Sequence, residues 1–236
     1  MLRIVQKIAP SSWRLPDVEP GSFDLRRRRT GRLYMRVRTV VRRSAGRMTS
    51  RVSSYKLGRI VECESHHEAR FVYRADQDPA IISFTEQPVR IRYSVDGVLR
   101  THFPDFLVRM KDRVEFVEVK SARDAASPEI SARTAVLIEA LAPGGFGYRI
   151  ASHEELGRQP SLDNVVLLRR YRMQPVSDED AARVMEAIGT GGATVPSLRA
   201  SGISSDALLS LASRNIIQFD LDQPFDEAAL FLGSAR

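Results

Sequence analysis

Asp105, Glu118 and Lys120 are the residues whose types and spacing could do chemistry. They stand in one stretch: Phe103-Pro104-Asp105-Phe106-Leu107-Val108, a Lys111-Asp112-Arg113 turn, then Val114-Glu115-Phe116-Val117-Glu118-Val119-Lys120. Apolar and β-branched residues on both sides of that turn predict a β-hairpin. The two-residue period of a strand puts Glu118 and Lys120 on one face, and pairing across the turn brings Asp105 to it. Two carboxylates at close range repel each other unless a cation lies between them. A hard divalent ion with oxygen ligands supplies that cation, and an ammonium two residues from one ligand can hold or polarise a water bound to it. The competing reading is a surface hairpin in which Glu118 and Lys120 form a solvated pair worth little.

Glu68 is a fourth candidate. Ala69, Val72 and Ala75, with Phe71 beside them, follow helical spacing, and Glu68 lies on the same stripe one turn earlier. A carboxylate on the core-facing side of a helix is costly unless something binds it. The alternative is a position at the stripe's edge, reaching solvent or Arg70.

Other elements must position these groups. The text becomes helical from Glu62 and stops at Asp78-Pro79. Ile81–Phe84 reads as a short strand or link, and Val89, Ile91, Tyr93 and Val95 alternate with Arg90, Arg92 and Ser94 in a half-buried strand with a basic outer face. Asp96-Gly97 signals a tight turn, and Val98–Phe103 returns toward Asp105. Ser127-Pro128-Glu129 opens a helix to about Leu141, stopped by Pro143-Gly144-Gly145. A strand over Phe146–Ile150, a helical turn at Glu154-Glu155-Leu156 and an apolar segment Val165–Leu168 follow. The sum is an α/β sheet with flanking helices. After Gln174-Pro175 the character changes. Ser177 with Asp180 caps a helix Asp178–Ile188, two short helices follow (Val195–Ala200 and Ser204–Arg214), and Ile216–Leu221 and Ala229–Leu232 read as strands. Three short helices and a hairpin are the pattern of a winged helix-turn-helix. Its acids, Asp220, Asp222, Asp226 and Glu227, suit a protein partner better than phosphate.

The chain has 236 residues, with a net charge of +7 and a pI near 10.0, which points to a polyanionic partner. The excess is uneven: Arg26, Arg27, Arg28, Arg29, Arg32, Arg36, Arg38, Arg42, Arg43, Arg47 and Arg51 crowd the first quarter. Residues 1–57 read as a partly ordered basic arm that lies along DNA phosphates, with a short strand over Leu33–Val41. The single cysteine, Cys63, excludes an intramolecular disulfide and a zinc–thiolate cluster and fits a reducing cytoplasm. No apolar run approaches membrane-spanning length, so the expected location is cytoplasmic.

Taken in order, Glu64-Ser65-x-x-Glu68-x-x-Phe71, Asp78-Pro79, Phe84-x-Glu86-Gln87-Pro88-Val89-x-Ile91, Pro104-Asp105-Phe106 and Val117-Glu118-Val119-Lys120 resemble the TnsA family of transposon endonucleases, whose catalytic domain is a PD-(D/E)xK nuclease. The match runs over about residues 58–125, and Asn164–Tyr171 and the winged tail extend it more weakly. The resemblance implies a restriction-endonuclease-like mixed sheet with flanking helices over 58–172 and a small winged-helix domain over 173–236. It implies Mg2+-dependent cleavage (Mn2+ as substitute) of the 5′ strands at transposon ends. Glu68, Asp105 and Glu118, with a backbone carbonyl near Val119, would be the metal ligands, and Lys120 the catalytic lysine. Gln87 is a candidate support for the sheet, or merely a turn residue before Pro88. Arg26 to Arg29, Arg90 and Arg92 are candidate contacts to double-stranded DNA. The implied partners are a TnsB-like transposase and, through the C-terminal domain, a TnsC-like AAA+ ATPase. Where the family pattern has an apolar position, this helix carries His66-His67; adjacent helical side chains point about 100° apart, so one faces solvent. Two rivals remain: a stand-alone nuclease of repair, phage or restriction function, and a non-catalytic DNA-binding adaptor.

Overall fold

The structure, a computed structural model, describes residues 3–4, 50–95 and 98–234. These fall into two compact units, one within Met1–Val72 and Ala80–Glu155, the other Tyr73–Pro79 with Leu156–Arg236. The basic arm with Arg26 to Arg29, the strand expected over Leu33–Val41 and the Asp96-Gly97 turn lie outside the described residues.

In chain order the elements up to the end of the first unit are β1 (Arg3–Ile4), β2 (Ser50–Ser54), β3 (Arg59–Cys63), α1 (His66–Gln77), β4 (Ile81–Glu86), β5 (Ile91–Val95), β6 (Val98–His102), β7 (Phe106–Met110), β8 (Val114–Lys120), α2 (Ala122–Ala125), α3 (Pro128–Leu141), β9 (Phe146–Ser152) and α4 (His153–Gly157). The main sheet has the order β4-β7-β8-β9. β4, β7 and β8 run antiparallel to their neighbours, whereas β8 and β9 are parallel. A parallel pair needs a crossover longer than a turn, and α3 supplies it. Ser127 caps α3 by accepting from the Ile130 N–H, and Leu137 and Leu141 are its buried residues. They join Val89, Ile91, Tyr93, Phe116 and Tyr148 in one apolar cluster, while Phe71, Phe84 and Phe106 stack in another. A second sheet, β1-β5-β6, and the β2–β3 hairpin complete the unit.

Two local readings change. Glu62, where the helical text begins, lies in a strand over residues 59–63, and α1 begins at His66. Ser50–Ser54, read as part of the partly ordered basic arm, pairs antiparallel with that strand and buries Val52 opposite Val61. Its alternation is too short, and too diluted by Ser and Arg, to stand out.

The second unit holds α5 (Ser161–Tyr171), α6 (Asp178–Ile188), β10 (Ala193–Thr194), α7 (Val195–Ala200), α8 (Ser205–Ser213), β11 (Ile217–Gln218) and β12 (Leu230–Gly233). The segment Val165–Leu168 is thus helical. Leu168 joins the cluster of Leu208, Leu209 and Leu211 on α8. Ser177 caps α6 through the Asp180 N–H, and the three short strands make an antiparallel sheet, order β10-β12-β11. No helix among the described residues is long and apolar enough to cross a membrane.

Candidate active site

The β7–β8 hairpin brings Asp105, Glu118 and Lys120 together. Phe106 pairs with Val117, so Asp105, one residue before β7, stands at the level of Glu118. The Val119 N–H donates to Asp105 Oδ2 at 2.7 Å, and Lys120 Nζ lies 2.9 Å from Glu118 Oε1. This is no solvated surface pair: β8 is buried on both faces, with β7 and β9 beside it, and Glu118 is 3% exposed. A charge taken out of water to that degree must be matched by partners. Three cationic or ionisable side chains surround it. Lys120 and Arg133 Nη2 (3.3 Å) meet Oε1, and His102 Nε2 lies 3.1 Å from Oε2.

The electrostatics divide the acids. Burial alone would push Glu118 up, but His102 and Lys120 outweigh it and hold the carboxyl below its usual range. Asp105 goes the other way. Burial first, then the charges of Glu118 and Glu68, push it well above the usual carboxylate range, against the pull of the Val119 N–H and Lys120. Burial would lower Lys120, yet contact with Glu118 and the field of Asp105 carry it above its ordinary value, so it stays an ammonium. Glu68, on α1, is within electrostatic range of both Asp105 and Lys120 and is itself raised, chiefly by burial.

Glu68 also has a local structural task. Its Oε2 accepts from the Glu64 N–H at 2.8 Å and its Oε1 from the Ser65 hydroxyl at 3.1 Å, while the Glu68 N–H donates to Ser65 Oγ. Ser65-x-x-Glu68 is a capping box, a signal the sequence carried and the reading of the apolar stripe passed over. Gln87 sits beside the same turn. Its N–H donates to the Asp105 carbonyl at 2.7 Å, and its Nε2 donates to Glu64 Oε1 at 3.1 Å. It adopts a positive φ of 41°, which a non-glycine residue reaches only under constraint. Gln87 therefore ties the Asp105 backbone to the start of α1. Just before it, Arg59 clamps the buried Glu86 with both guanidinium nitrogens, at 2.9 and 2.7 Å. Arg90 and Arg92 are half-buried, with Arg92 on β5 across from Arg3. His66 is exposed, and His67 stacks on His153 with ring centroids 3.5 Å apart, a face-to-face arrangement in which the two rings do not converge on one ion.

Among the described residues no three of His, Cys, Asp and Glu are grouped to hold a metal as they stand. The donor chemistry nonetheless fits a hard divalent cation. Asp105, Glu118 and Glu68 offer only oxygens, Asp105 is raised by burial and then by the charges of Glu118 and Glu68, and Glu118 Oε2 is buried without a hydrogen bond. The sequence reading missed His102, Arg133 and Tyr148. They come from β6, α3 and β9, and no spacing rule links them to the Asp105 hairpin. The one local signal is that His102 is the only buried residue of β6.

A mixed four-stranded sheet with flanking helices, carrying carboxylates and a lysine on adjacent central strands, fits a restriction-endonuclease-like fold. Residues 78–152 match the family model of the TnsA-like endonuclease N-terminal domain. That segment contains Asp105, Glu118 and Lys120 and begins after Glu68; over it the chain is similar to a TnsA-like endonuclease domain, a likeness that points to a nuclease. No curated protein matches the chain.

Proposed function

We propose that the chain is a divalent-metal-dependent DNA endonuclease, the subunit of a heteromeric transposase that cleaves the 5′ strands at transposon ends. The observation that carries this reading is the juxtaposition of half-buried Asp105 and buried Glu118 with Lys120 in a TnsA-like domain. Asp105, Glu118 and Glu68, with the Val119 carbonyl, would hold Mg2+, or Mn2+ in its place. Bound there, the ion supplies Lewis-acid stabilisation of phosphate charge and a more acidic water. Lys120, kept protonated by Glu118 and Asp105, donates rather than accepts: it orients the attacking water or stabilises charge developing on the phosphate oxygens. Gln87 supports Asp105 through the backbone. Arg26 to Arg29, Arg90 and Arg92 would add sequence-independent contacts to phosphate.

In this reading residues 1–57 are a basic arm, the nuclease domain spans 58–172, and residues 173–236 are a winged-helix-like module. Three helices with a small antiparallel sheet support the last assignment, and its acidic loop residues suit a TnsC-like ATPase, with a TnsB-like transposase cutting the other strand. The test is a calorimetric titration of the full chain with Mg2+ or Mn2+. Wild type should bind, and Asp105→Ala and Glu118→Ala should each abolish binding, together with cleavage in a reaction containing the partners. Binding untouched by either substitution overturns the proposal.

A further inference from the structure

Its own strand gives Glu118 one partner, Lys120 at Oε1. Val117 and Val119 on either side are buried apolar residues, so the other groups around the carboxylate come from elsewhere in the fold. Arg133, from α3, meets Oε1 at 3.3 Å alongside Lys120. On the side of the other oxygen, His102 Nε2 lies 3.1 Å from Glu118 Oε2 and 3.0 Å from Tyr148 Oη, so one ring nitrogen faces both groups. Tyr148 lies in the apolar cluster with Phe116 and Leu137, 6% exposed, and His102 is 7% exposed. Each is a polar group buried at a cost that only its partners offset. Neither belongs to the hairpin: His102 meets the carboxylate, and Tyr148 meets His102.

We propose that His102 and Tyr148 are positioning residues that fix the Glu118 carboxylate in the orientation it needs to hold a cation. The inference rests on the reading of Glu118 as a metal-holding group. Outer partners of a metal-ligating carboxylate typically change affinity or activity 10- to 100-fold when removed. Arg133 carries a charge that itself repels a cation, so the His102–Tyr148 pair is the cleaner probe. Tyr148→Phe deletes one oxygen and keeps the ring that packs at 6.1 Å from His102. His102→Gln keeps an N–H near the position of Nε2, whereas His102→Leu removes it, and both carry the same charge.

The experiment is an Mn2+ titration of the full chain by calorimetry, with thermal midpoints measured in parallel and Glu118→Ala as reference. Tyr148→Phe and His102→Leu should each weaken Mn2+ about 10- to 100-fold, His102→Gln should recover most of that loss, and the midpoints should not track the affinities. Wild-type affinity in Tyr148→Phe and His102→Leu, with binding lost in Glu118→Ala, overturns this inference and leaves the active-site reading standing. Losses that follow the thermal midpoints across the series, with no recovery in His102→Gln, assign the pair to structure alone and overturn it too. No Mn2+ binding by wild type, or undiminished binding by Glu118→Ala, overturns the site reading and this inference with it.

Discussion

At the scale of single residues, the two acids of the hairpin have opposite fates although they stand side by side. Glu118 is surrounded by Lys120, Arg133 and His102, and Asp105 receives one backbone N–H at Oδ2. A carboxyl whose folded pKa lies above its unfolded value, 3.8 for aspartate, contributes stability that is present below the unfolded value and lost as pH rises through the folded one. At neutral pH that contribution is diminished, so the metal-free protein carries an electrostatic cost at Asp105. Asp105→Asn keeps an oxygen for the Val119 N–H and removes the charge. It should raise the stability of the metal-free chain at pH 7 by about 0.5–2 kcal/mol, with the gain shrinking as pH falls toward 3.8. Denaturant melts in the presence of a chelator measure this; an unchanged or lowered midpoint at pH 7 would show that Asp105 is not held under electrostatic strain. Asp105, Glu118 and Lys120 were legible in the sequence because strand periodicity and a short turn constrain all three at once. His102, Arg133 and Tyr148 were not. A buried contact between side chains 15 to 46 residues apart leaves no local pattern.

At the scale of elements, α1 shows how one side chain can serve two purposes. The expectation that Glu68 lies on a core-facing stripe explained why an acid there would be costly, but not what holds it. The capping box does so, by satisfying the Glu64 N–H and the Ser65 hydroxyl. The same bonds deliver the carboxylate into the field of Asp105 and Lys120. Because glutamine works as well as glutamate at this position of a capping box, Glu68→Gln separates the tasks. Its midpoint should stay near wild type while Mn2+ affinity falls; Glu68→Ala should also cost about 0.5–2 kcal/mol of stability, the scale of a lost cap. Equal metal affinity in wild type and Glu68→Gln, by calorimetry, would leave Glu68 a capping residue only. The helical and strand periods of the chain predicted α1, α3, β7, β8 and β9 close to their observed places, because each is long and buries a regular stripe. They failed at β2 and β3, where each five-residue strand offers only two buried positions, and at α5, where a four-residue apolar run did not reveal the helix around it.

At the scale of the whole molecule, charge is distributed along the chain rather than balanced. Residues 1–59 hold only Asp17, Glu19 and Asp24 against a long series of arginines, whereas the stretch from Asp220 to Glu227 carries four acids and no base. Phosphate binding of the sequence-independent kind should therefore reside at the N-terminal end, and it should be governed by counterion release. Each phosphate neutralised by a basic side chain contributes about −0.9 to the slope of log affinity against log salt on duplex DNA. Replacing Arg26, Arg27, Arg28 and Arg29 together by glutamine should make that slope shallower by about 3 to 4 and weaken binding at 50 mM salt far more than at 200 mM. The Mn2+ affinity of the proposed site should be unchanged, because the proposed ligands lie on α1, on β8 and just before β7. Fluorescence anisotropy of a labelled duplex over a salt series reads both numbers. A parallel downward shift with no change of slope would mean that these arginines act on folding rather than on phosphate. An unchanged curve would move the DNA contact to the half-buried Arg90 and Arg92, which the glutamine variant leaves in place and which a second substitution pair would then test.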